Sequence, residues 1–191
     1  MKKEQLEYAA ARYGTPLYLF DLDILKKQAD RLRNALGKET GLCYAMKANP
    51  FLTKHMEEKA DRIEVCSMGE FEICRSLEIP PEKLFISGVL KKKEDIYRIL
   101  ETYGEKCRYT VESVRQLHYF LEWSDTHMKT LRLYPRLTNG SQFGMDEDTM
   151  RSIVSIVNMS PYLEIEGIHY FSGTQKRHTR QFRQEIEMLD R

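Results

Sequence analysis

Lys47 is an ionisable residue in an apolar setting. It closes the run Leu42-Cys-Tyr-Ala-Met46, directly ahead of Ala48-Asn49-Pro50. An amine among apolar neighbours is desolvated, so its pKa falls and it becomes a better nucleophile toward an aldehyde. A lysine at a strand end can equally reach into solvent, and position alone fits both readings. The other reactive side chains point elsewhere. The four cysteines (Cys43, Cys66, Cys74, Cys107) form no C-x-x-C pair, and three fall in apolar strand-like runs. Reduced thiols packed in a core are expected, not zinc ligands or disulfides. The five histidines show no H-x-x-x-H spacing, so no metal site is expected.

The elements that must position Lys47 alternate along the chain. Apolar runs predict strands at Leu17–Phe20, Leu42–Lys47, Ile63–Ser67, Leu84–Gly88, Arg108–Val111, Leu131–Leu137 and Ile165–Phe171. Amphipathic spacing predicts helices between them. Ile96, Ile99, Leu100 and Tyr103 repeat at i, i+3, i+4 and i+7, as do Met150, Ile153, Val154 and Val157. Ser113 with Gln116 reads as a capping box before Val114, Leu117 and Leu121. Asn49-Pro50 reads as an N-cap followed by proline at the first helical position. Gln175 to Arg191 reads as a last helix with Phe182, Ile186 and Leu189 on one face.

Of 191 residues, 41% are hydrophobic and 31% charged, the pattern of a globular domain with a real core. Thirty basic and 29 acidic side chains nearly cancel, which gives no reason to expect nucleic acid or an anionic membrane as partner. Lys91-Lys92-Lys93 reads as the solvated start of a helix. No stretch approaches the ~20 apolar residues of a membrane span, and the first residues lack an apolar signal core. A cytoplasmic location is the expectation.

Strand–helix alternation argues for an α/β fold with a parallel sheet whose strands are apolar on both faces. A doubly wound sheet would carry a glycine-rich first turn. The first strong strand ends instead in Lys47-Ala-Asn-Pro50, which favours a (β/α)8 TIM barrel, whose active sites lie at the C-terminal ends of its strands. After a leading strand and helix (1–36), residues 37–191 supply about six of the eight units. A whole barrel takes ~250 residues, so the expectation is one partial barrel domain over 1–191, cut in mid-fold.

Tyr44-Ala-Met-Lys-Ala-Asn-Pro50 resembles the Y-A-V-K-A-N lysine motif of fold-type III pyridoxal-phosphate enzymes, in particular the diaminopimelate, ornithine and arginine decarboxylases. Six further segments follow the family pattern in order. Thr15–Asp21 is similar to T-P-x-Y-x-Y-D, Ile63–Glu70 to F-D-V-x-S-x-G-E, and Phe85–Gly88 to I-x-F-S-G. Leu131–Pro135 is similar to L-R-x-x-P, Gln142–Gly144 to K-F-G, and Gly167–Gln175 to G-L-H-F-H-I-G-S-Q.

This resemblance implies an alanine-racemase-like barrel and a pyridoxal-phosphate-dependent amino-acid decarboxylase. Lys47 would hold the cofactor as a Schiff base that the substrate amine displaces, and the ring would delocalise the carbanion left by decarboxylation. Glu64 stands at the family's cofactor-proximal aspartate and Glu70 at a recurrent acid that also suits a helix start. Arg132 would position cofactor or substrate, or make an ordinary ion pair. His169 matches the first histidine of its motif. Phe171 replaces the ring-stacking second histidine, so stacking survives while the titratable group is lost. Gly173 and Thr174 match the phosphate contact. Phe171, Gln142 and the Gly173-Thr-Gln175 run resemble decarboxylase-like proteins acting on carrier-linked or conjugated amino acids. The family's glycine-rich phosphate loop, its E-x-G-R acid, its C-terminal β-domain and the cysteine motif that a partner subunit contributes in the homodimer are expected to be lacking. The alternatives are a non-catalytic pyridoxal-phosphate-binding barrel protein and a degenerate fragment without function.

Overall fold

The computed structural model describes residues 2–88, 91–174 and 179–190. The chain opens with helix α1 (Lys3–Tyr13) and helix α2 (Leu22–Leu36). Asp21 caps α2, its side chain accepting from the backbone N–H groups of Asp23 and Ile24. The expected strand Leu17–Phe20 between these helices is not a strand. The segment pairs with no strand among the described residues, and Tyr18 is 92% exposed. Strands are stabilised by a ladder partner and cross-strand contacts, and apolar alternation alone supplies neither.

The sheet follows as β1 (Cys43–Ala45), β2 (Arg62–Val65), β3 (Leu84–Ile86), β4 (Arg108–Val111), β5 (Leu131–Leu137), β6 (Leu163–Ile165) and β7 (His169–Tyr170). All pairings are parallel, in the order β1-β2-β3-β4-β5-β6, with β7 also on β5. Helices α3 (Thr53–Glu57), α4 (Met68–Ser76), α5 (Lys93–Tyr103), α6 (Val114–His127) and α7 (Glu147–Met159) form the crossovers, and α8 (Thr179–Leu189) comes last. This is the expected parallel α/β architecture.

The single strand expected at Ile165–Phe171 is two short ones. Leu133 pairs with Ile165 and Arg136 with His169, so the two residues between them on β5 stand against three on the neighbouring segment. Pro135, one of those two β5 residues, has no N–H to offer the ladder.

The sheet has two unlike faces. Ile63, Val65, Leu84, Ile86, Tyr109, Val111, Leu131 and Leu133 are buried in the main core with Phe71, Ile96, Ile99, Leu100, Leu117, Phe120, Ile153 and Val157 from the helices. The alternating positions Glu64, Phe85, Arg108, Thr110, Arg132 and Tyr134 face the other way. That second face is polar and aromatic, so the expectation of strands apolar on both sides is corrected. Phe85 packs edge-on to Tyr134 at 5.0 Å and to His169 at 6.0 Å, and Arg108 spans to Glu166 at 2.7 Å.

Of the expected helical stripes, Ile96, Ile99, Leu100, Met150, Ile153 and Val157 are buried and Tyr103 is half-buried, whereas Val154 is 39% exposed. Ser113 caps α6 through the Gln116 N–H, but the Gln116 side-chain Oε1 accepts from Glu112 N, one residue earlier than a capping box requires. Asn49 caps through the Phe51 N–H, and its helix begins as a 3-10 turn at Pro50–Leu52. Of the cysteines, Cys74 and Cys107 are buried, whereas Cys43 is exposed and Cys66 half-buried.

Candidate active site

The C-terminal ends of the strands gather the ionisable residues. β1 ends at Ala45, and a single 3-10 turn, Met46–Ala48, carries Lys47. Met46 is fully buried, its Sδ 3.4 Å from Cys74 Sγ, which anchors the turn in the helix-side core. The Tyr44 hydroxyl donates to the Asn49 carbonyl at 2.7 Å and holds the turn from the far side. Lys47 Nζ lies 4.0 Å from Glu64 Oε2, with the lysine side chain 56% exposed and the glutamate 17%. The apolar surroundings expected for Lys47 are therefore absent. A carboxylate and an open face stand in their place.

Glu70 is a helix-start residue. Its carboxylate accepts from Cys66 N at 2.7 Å while Ser67 caps α4. Gly88, past the end of β3, has φ +98°, and a Cβ there would lie 2.6 Å from the Cys66 carbonyl oxygen. Only glycine lets these two strand ends approach so closely.

Beyond β4 and β5 lies a buried polar network that sequence reasoning missed. Glu112 is buried and receives Arg136 Nη1 on Oε2 at 2.7 Å, with side-chain exposures of 3% and 12%. Thr110 Oγ1 donates to Glu112 Oε1 at 3.3 Å. Lys91 does not project into solvent as the lysine run suggested. Its Nζ donates to the Thr110 carbonyl at 3.0 Å and to Thr110 Oγ1 at 2.8 Å. Lys92 and Lys93 do flank the start of α5. Burial lowers the Lys91 pKa to about 8, against the pull of the Glu112 carboxylate. The signal for Glu112 was the one used for Lys47, an ionisable residue closing an apolar strand.

On the last strand, His169 is half-buried, and its buried Nδ1 has no hydrogen-bond partner among the described residues. Burial lowers its pKa. The Glu112 and Glu64 carboxylates oppose that shift, and Arg136 and Lys91 add to it. Glu64, which meets Lys47, thus also acts on His169. Phe171 is 43% exposed, with the Arg136 guanidinium 5.9 Å from its ring centroid and Asn139 Nδ2 donating to its carbonyl at 3.0 Å. Gly173 has φ +102° with open space where a Cβ would sit, and Thr174 beside it is exposed. Gln175 lies outside the described residues.

Arg132 is not brought to Lys47. It sits exposed on the second face, in a row with Arg108 and Glu164 and three strands across from Glu64. The arginine at the end of β5 is Arg136. Among the described residues no helix is long and apolar enough to cross a membrane.

Residues 22–191 match the family model for the pyridoxal-binding domain of pyridoxal-dependent decarboxylases. Over 94% of its length the chain is 29% identical to L-glutamyl-[BtrI acyl-carrier protein] decarboxylase of Niallia circulans, covering 46% of that relative. It is 27% identical over 96% of its length to diaminopimelate decarboxylase of Aquifex aeolicus, covering 47% of it. It superposes on lysine/ornithine decarboxylase of Vibrio vulnificus, a structure complexed with cadaverine, with a TM-score of 0.83 at 23% identity, over 97% of this chain and 50% of that one. The chain spans about half the length of the curated relatives it matches. The parallel α/β sheet is that of the alanine-racemase-like barrel, and the chain belongs to the pyridoxal-dependent decarboxylases, within their pyridoxal-binding domain.

Proposed function

We propose that the protein carrying this chain removes the α-carboxyl group of an amino acid, using pyridoxal phosphate anchored covalently on Lys47. The observation that carries this reading is the Lys47 amine, 4.0 Å from Glu64 at the strand ends where His169 also lies. The residues present fit the cofactor. Lys47 offers the amine, and His169 Nδ1 is a buried polar atom awaiting a partner among the described residues. Phe171 offers an exposed ring, and Gly173 an approachable backbone beside the Thr174 hydroxyl.

When bound, the pyridine ring supplies the electron sink for loss of carbon dioxide. Glu64, 4.0 Å from Nζ, holds the Lys47 side chain at the strand end where the amine acts as the nucleophile. His169, its pKa lowered by burial, is suited to meet the cofactor as a neutral ring. Phe171 would flank the ring, and Gly173 and Thr174 would offer the phosphate N–H and hydroxyl donors. Arg132 is assigned a weaker, substrate-side electrostatic role from its place on the second face.

Residues 37–191 form units 1 to 6 of the cofactor domain, with 1–36 as a leading segment. A carrier-linked or conjugated amino acid is the preferred substrate class. The likeness to the L-glutamyl-[acyl-carrier protein] enzyme supports it, as do Gln142 and Phe171 in place of the commoner lysine and histidine. The protein works in the cytoplasm as a homodimer. The test is the visible absorption band of the full-length protein loaded with pyridoxal phosphate, which Lys47→Ala should abolish. A band that survives the substitution sinks the anchor assignment. Carbon dioxide release from free diaminopimelate and ornithine, set against a glutamyl-carrier protein, separates the substrate classes.

A further inference from the structure

We infer that Arg136, locked by Glu112, is a positioning residue that holds the Phe171 ring as the platform against which pyridoxal phosphate lies. This rests on the cofactor reading above and adds residues that it does not use. The pair is expensive to build. Both side chains are withdrawn from water, at 12% and 3% exposure, and a buried ion pair often stabilises a fold no better than apolar residues of the same shape. The geometry of the pair supplies a role beyond stability.

The Arg136 guanidinium lies over two rings, 5.6 Å from the Phe143 centroid and 5.9 Å from that of Phe171. Its planar, permanently charged fork fixes direction as well as distance. Glu112 is itself held, by Thr110 Oγ1 on its carboxylate and by Gln116 Oε1 on its backbone N–H. A rigid chain of contacts thus runs from β4 through Glu112 and Arg136 to Phe171. The Phe171 backbone is fixed separately by Asn139. Yet 43% of Phe171 remains exposed. An aromatic ring clamped on one side, fixed at its backbone and open elsewhere is built to receive a flat ligand.

The experiment uses the full-length protein loaded with pyridoxal phosphate. It reads the dissociation constant of the cofactor and the visible circular dichroism per bound cofactor. The variants are Phe171→Leu, Arg136→Lys, and the double change Glu112→Gln with Arg136→Gln, which removes both charges of the pair together. The double change should weaken cofactor binding about 3- to 30-fold, the span of a cation–π contact from exposed to desolvated, and reduce the dichroism. Arg136→Lys should fall between it and the unaltered protein. In a Phe171→Leu background neither change should have a further effect, because coupled residues are non-additive. A merely structural role would lower the melting temperature while leaving dichroism per bound cofactor unchanged, and its effect would add to that of Phe171→Leu. Either result overturns the inference. Should the double variant not fold, the Arg136→Lys effect and its disappearance in the Phe171→Leu background decide alone. If the unaltered protein shows no Lys47-dependent band, the cofactor reading fails instead.

Discussion

Lys47 and Glu64 face each other across the ends of adjacent parallel strands, with Nζ 4.0 Å from Oε2. The lysine is the more exposed partner and the glutamate the more sheltered. This fits a carboxylate that is part of the site and an amine that must move.

Glu64→Gln should therefore separate stability from loading. An ion pair this open contributes roughly 0–1 kcal/mol, so the melting temperature should barely shift. Cofactor loading, followed by the growth of the visible band after mixing, should slow. A large drop in melting temperature with unchanged loading would make the pair structural.

Lys91 predicts a pH dependence. Its ordinary value of 10.5 falls to about 8 in the fold, chiefly by burial and despite Glu112. Between about 8 and 10.5 the unfolded chain holds a proton that the folded chain has released. Stability from this group therefore rises with pH across that window and is flat below it. Denaturant unfolding at a series of pH values should show the rise in the unaltered protein and its loss in Lys91→Met. Parallel curves for the two proteins would contradict the burial of the Lys91 amine.

Gly88→Ala should be strongly destabilising. The new Cβ would meet a backbone oxygen at 2.6 Å from a φ of +98°. Strain of this kind costs of order 1–3 kcal/mol from the backbone angle alone. Chemical denaturation should register at least that loss, and a neutral result would mean that the ends of β2 and β3 can separate freely.

Much of the architecture could be read from apolar spacing. β4 and β5 have the bounds that their apolar runs mark, because each must bury alternate side chains under helices. Leu17–Phe20 has the same local look and no ladder, a fact about partners that no local pattern carries. Helix α1 was overlooked although Leu6, Ala9, Ala10 and Tyr13 follow helical spacing, since Lys2 gives no side-chain cap to announce it. Within the site, Lys47 stood out because its neighbours are apolar. Lys91 did not, because its neighbours Lys92 and Lys93 disguise a side chain that turns inward to Thr110. Arg136 follows a proline, and only the pairing of β5 with β4 sets it against Glu112.

The unlike faces of β5 also guard the folding reaction. A slip of one residue would place Arg132, Tyr134 and Arg136 beneath α6 and α7 and lift Leu131 and Leu133 out of the core. Misaligned chains would bury unpaired charge and gain little in return. The same side chains that prepare the site thus act as an error check, rejecting wrong strand alignments before any ligand is met.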